Sequence, residues 1–71
     1  MNWTTRDYDR LERAIADRRR IQVMRAGSQL VVLPERLRID LGEEVLTARH
    51  LGTGDRMDVP LLEIDGFEVV S

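Results

Sequence analysis

Arg18, Arg19, Arg20 and Arg25 are the residues whose type and spacing most readily imply chemistry. All 11 basic residues of the chain are arginine. Arginine presents a planar fork matched to phosphate and carboxylate, where lysine is a flexible point charge. Four of them near one junction, with Arg56 further along, form a candidate patch for a nucleic acid, a nucleotide or an acidic protein face. The same groups also suit internal ion pairs and the negative end of a preceding helix. No exposed aromatic platform interleaves them, so base stacking is not supported. A second charged set, Asp7, Asp9 and Glu12 with Glu43 and Glu44, can present carboxylates to an arginine- or lysine-rich partner.

Catalytic groups are sparse. His50 is the only histidine, which excludes a histidine-based metal cluster, and it reads as a solvated strand-end residue. Ser28 falls in an expected turn and Ser71 at the chain end; neither has an evident base to activate it. Asp40, Glu43 and Glu44 surround a turn, but the glycine pattern of a calcium loop is missing. Gly52-Thr53-Gly54 lacks the strand–loop–helix setting of a phosphate cradle and reads as a hairpin connection. There are no cysteines, which excludes a disulfide framework, thiolate zinc sites and thiol catalysis. The chain is therefore expected to be neither an enzyme nor a holder of metal or cofactor.

The elements that must position these residues fit one domain over residues 1–71. Hydrophobic residues make up 42% and charged residues 34%, a globular composition. No apolar run approaches the ~20 residues of a membrane span, and Met1-Asn2-Trp3-Thr4 opens no signal-peptide core. A soluble cytoplasmic protein that does not engage membrane is expected, as a monomer or a weak homodimer through an unpaired strand edge. Net charge is −2, but it is divided unevenly. Residues 1–38 carry nine arginines against five acids, and residues 39–71 carry two arginines against eight acids. Halves this opposed in charge are expected to pair in part with each other.

Residues 4–18 predict a helix. Thr4 is the candidate N-cap, Asp7 the capping-box acid, and Trp3 and Tyr8 the hydrophobic staple across the cap. Tyr8, Leu11, Ala14 and Ile15 recur on one apolar face. Residues 20–70 alternate like β-structure. Strands are expected at 20–25, 29–33, 37–41, 44–50, 57–61 and 67–70, with Ala26-Gly27-Ser28 as a hairpin turn. Pro34 is expected to end the second strand or mark an edge. Leu37, Ile39 and Leu41 are expected to be buried on one face. The class is mainly β, α+β by content: one N-terminal helix capping five to six short strands that bend and close on themselves.

This order resembles two families that share the Sm-like, or SH3-like, barrel. Ala14-Ile15 leading through Arg18-Arg19-Arg20 into Ile21-Gln22-Val23 resembles the WYL domain of bacterial transcription regulators. Pro34-Glu35-Arg36-Leu37, Gly54-Asp55-Arg56 and Leu61-Leu62-Glu63-Ile64 continue that likeness, with Glu44-Val45-Leu46-Thr47-Ala48 where the family has its Trp-Tyr-Leu run. The resemblance implies a regulatory module that contacts a nucleotide, nucleic acid or partner protein through Arg18, Arg19, Arg20, Arg25 and Arg56. Asp7-Tyr8-Asp9-Arg10-Leu11-Glu12-Arg13-Ala14 is similar to the helix signature of the Rof family, small free-standing inhibitors of the transcription terminator Rho, and Glu44-Val45-Leu46 looks like that family's Glu-Tyr-Leu. That likeness implies antitermination: an acidic face of Asp7, Asp9, Glu12, Glu43 and Glu44 occluding the RNA-binding site of a Rho-like partner.

Overall fold

A computed structural model describes residues 1–70 as one helix and a five-stranded antiparallel sheet. Helix α1 spans Thr5–Ala16. Its start follows from local chemistry. The Thr4 hydroxyl accepts from the Asp7 N–H, and the Asp7 carboxylate accepts from the Thr4 N–H at 3.0 Å. Trp3 meets Tyr8 across this cap with ring centroids 5.3 Å apart. Leu11 and Ala14 face inward and are fully buried.

The strands are β1 (Ile21–Arg25), β2 (Ser28–Asp40), β3 (Glu43–His50), β4 (Arg56–Pro60) and β5 (Gly66–Val69). A single 3-10 turn, Leu61–Glu63, links β4 to β5. Spatial order is β4-β3-β2-β1-β5, all neighbours antiparallel. β4 and β5 are the two outer strands, and they do not pair with each other among the described residues. The sheet is therefore not closed by hydrogen bonds. Leu11 and Ala14 of α1 join Ile21, Val23, Leu46 and Phe67 from its inner face in one core. The radius of gyration, 11.1 Å, equals the ~11 Å of a folded chain this long.

Two expectations about β2 need correction. Pro34 does not end a strand, since Ser28–Asp40 is one continuous element of 13 residues, but it does mark an edge: pairing with β1 stops at Val32, and among the described residues Pro34 has a partner strand on one side only. Pro34 pairs with Ala48 and Arg36 with Thr47, so Glu35 is an extra residue in the ladder. This bulge lets proline sit inside a paired strand, because the register breaks there. It also exchanges the two faces. Before it, Val32 and Pro34 are buried; after it, Leu37 faces the core while Arg36 and Arg38 point to the other side. The second correction concerns burial. Ile39 is 74% and Leu41 98% exposed, because the β2–β3 hairpin runs beyond the region that the core occupies.

Candidate functional site

The arginine junction is shaped by how α1 ends. Asp17 is the C-cap and Arg18 follows with φ +54. The Arg18 N–H donates to the Ile15 carbonyl at 3.3 Å, and the Arg19 N–H to the Ala14 carbonyl at 2.8 Å. These are the two hydrogen bonds of a Schellman ending, in which the left-handed position is usually glycine. The reversal sends consecutive arginines apart. Arg18 stands beside Ile15, Leu33 and Pro34, and Arg19 beside Arg13, Ala14 and Val69. The Arg20 side chain is exposed while its carbonyl accepts from the Val70 N–H. Arg25 pairs with Glu63 at 3.5 Å. Arg18 and Arg19 thus line different grooves, and Arg25 is held by an ion pair.

Arginines do converge on the outer face of β2, β3 and β4. An open groove of about 570 Å³ is lined there by Glu35, Arg36, Arg38, Thr47, Arg56 and Asp58, within the ~300–1,000 Å³ of small-molecule sites. Register explains the assembly. Thr47 lies between Arg36 on β2 and Asp58 on β4, and Arg49 lies beside Arg56. Thr47 is buried and ties the floor together: its Oγ1 accepts from Arg38 Nε at 3.3 Å and donates to Asp58 Oδ1 at 3.1 Å. Arg38 also pairs with Asp58 at 3.0 Å and Asp40 at 3.4 Å. The bulge aims Glu35 at two cations, Arg56 at 3.4 Å and Arg49 at 3.8 Å. Arg36 is exposed and makes no ion pair among the described residues.

Of the arginines expected to bind, only Arg56 stands in this groove. Arg36 and Arg38 were missed because the alternation of Leu37 and Ile39 marks a face without saying where the bulge turns it. The signal that could have found them is Pro34 inside an otherwise strand-like run.

The acidic set is divided as well. Asp7 belongs to the helix cap, where the Thr4 backbone N–H and then its hydroxyl hold the carboxyl below its ordinary range. Glu44 accepts from the Tyr8 hydroxyl at 2.7 Å, and this bond pushes the Tyr8 phenol upward. Asp9, Glu12 and Glu43 are exposed. His50 is not merely solvated. Its Nδ1 accepts from the Gly52 and Thr53 N–H groups at 3.0 and 3.2 Å, folding the β3–β4 loop over the ring. A Cβ at Gly52 would come within 2.9 Å of that ring, which accounts for glycine there.

Among the described residues no group of three or more His, Asp or Glu side chains is placed to hold a metal ion, and no helix is long and apolar enough to cross a membrane. What the groove offers chemically is forked donors for an anion. No protein-family model, curated protein or solved structure matches this chain.

Proposed function

We propose that the chain is a small, non-enzymatic, transcription-associated regulatory module of the bacterial cytoplasm, WYL-like and built on an Sm/SH3-like barrel. It binds the phosphates of single-stranded nucleic acid or a nucleotide in the β2–β3–β4 groove. Support for the barrel reading is the strand order β4-β3-β2-β1-β5 after an N-terminal helix, with a 13-residue β2 shared by both halves of the sheet. The observation that carries the ligand reading is the convergence of Arg36, Arg38 and Arg56 on one groove, with Arg36 unpaired among the described residues. Exposed ion pairs are worth only ~0–1 kcal/mol each, so a phosphate can displace Glu35 from Arg56 at small cost. Fluorescence anisotropy of labelled single-stranded oligonucleotides at rising salt is the test. Binding is expected to fall with salt, and Arg36→Glu is expected to lower the slope of log affinity against log salt by about 1. Absence of binding at low salt, or an Arg36→Glu variant indistinguishable from wild type, removes this reading.

A second reading is favoured by the Tyr8–Glu44 hydrogen bond. It joins the helix signature Asp7-Tyr8-Asp9 to Glu44-Val45-Leu46, the two segments similar to the Rof family, at one end of the sheet. On this reading Asp9, Glu12, Glu43 and Glu44 occlude a basic RNA-binding surface on a Rho-like partner.

A further inference from the structure

The β2–β3 turn holds a residue that the fold does not require. Leu41 and Gly42 have φ +52 and +81, so both central positions of a two-residue hairpin loop are left-handed. Such loops favour Asn-Gly or Asp-Gly, and leucine at the first position is strained by its Cβ. Leu41 is also 98% exposed, and Ile39 beside it 74%. A strained, fully wet leucine contributes nothing to the core, and an outlier of this kind points to use at the surface.

The surroundings define what it meets. Leu41 borders a groove floored by Val45 and Pro60 and rimmed by Asp40, Glu43, Asp58 and Arg38. Arg38 already pairs with Asp40 and Asp58, and Glu43 has no ion pair among the described residues. Three carboxylates against one guanidinium leave this rim acidic. A second copy would set acid against acid, which disfavours self-association here.

We propose that this hairpin tip docks a basic, apolar segment of a partner protein. Apolar side chains of that segment pack on Leu41 and the Val45–Pro60 floor, and its arginines or lysines meet Asp40 and Glu43. The proposal takes the sign of the partner's charge from the acidic-face reading; the docking groove adjoins the arginine groove and shares Arg38 and Asp58 with it.

The test selects a displayed library of random peptides on the full chain. Thermal unfolding of wild type and Leu41→Asn is measured alongside. Leu41→Asn is expected to unfold at a higher temperature, because asparagine suits the turn. Selected peptides are expected to combine apolar residues with arginine or lysine, and to bind Leu41→Asn and Glu43→Lys at least about tenfold more weakly. A lower unfolding temperature for Leu41→Asn shows that leucine serves the fold and overturns the proposal. So does a selection yielding no peptides or acidic ones, or equal binding to both variants. Self-association of wild type that disappears in Leu41→Asn assigns the tip to a second copy and also overturns it. Asp9→Arg and Glu12→Arg separate the two ideas: weakening by these alone keeps the acidic face and removes the docking tip.

Discussion

Arg18 shows how one residue can be set by geometry against its own preference. Its left-handed backbone completes the Schellman ending of α1, at a steric cost of roughly 1 kcal/mol for a residue with a Cβ. Arg18→Gly is expected to stabilise the chain by about 0.5–1 kcal/mol in chemical denaturation; a loss of stability would show that the arginine side chain holds the junction. The opposite end of the helix depends on Thr4, and Thr4→Ala is expected to cost about 1 kcal/mol. Asp7 ties that cap to pH. Its carboxyl lies below the ordinary 3.8 because the Thr4 N–H donates to the charged form. A lowered acid stabilises above its unfolded value, and this contribution disappears as pH falls through the lower, folded value. Helicity followed by circular dichroism should therefore decline in acid below 3.8 in wild type, and Asp7→Asn should lack that component.

At the scale of elements, what could be read from the sequence was what is locally determined. The cap, staple and apolar face of α1 all lie between Trp3 and Ile15, so spacing alone reveals them. Strand alternation and the Ala26-Gly27-Ser28 turn were legible for the same reason, whereas the second turn was expected only after Leu41, which in fact occupies its first position. Glu35 was not, because a bulge is decided by the partner strand: only the pairing of Pro34 with Ala48 and Arg36 with Thr47 shows that one residue is extra. The candidate groove was hidden with it, since the bulge turns Arg36 and Arg38 outward. Nor does sequence spacing show that the adjacent Arg18 and Arg19 part at a chain reversal. Deletion of Glu35 tests this account. With the extra residue gone, the Pro34–Ala48 and Arg36–Thr47 pairs become consecutive, and plain alternation keeps Leu37 toward the core and Arg36 and Arg38 outward. The deletion is therefore expected to fold cooperatively with the same faces, losing the two ion pairs of Glu35, and Glu35→Ala is expected to change stability by less than about 1 kcal/mol; a deletion variant that fails to fold would show that the bulge itself is needed to bend the strand.

Across the whole molecule, the opposed charges of the two halves are joined. Arg10 meets Glu68, Arg25 meets Glu63, Arg38 meets Asp58, and Arg49 and Arg56 meet Glu35. These pairs lie on the surface, where each is worth little. They orient the halves, and the buried side chains supply the stability. A chain of this length has roughly 4–11 kcal/mol in total. Leu46 is fully buried on the interior strand β3, and truncating such a leucine removes about 2–5 kcal/mol. Leu46→Ala is thus expected to consume much of the total and leave a partly unfolded population at ambient temperature. Arg25→Ala, which breaks the Glu63 pair, is expected to cost less than about 1 kcal/mol, and added salt should erase most of that difference. Urea titrations of both variants at low and high salt measure the contrast. If Arg25→Ala proved as damaging as Leu46→Ala, the charges would be holding the fold together. Arg36, Arg38 and Arg56 would then be structural groups, and the groove they line could not exchange its internal carboxylates for a ligand's phosphates.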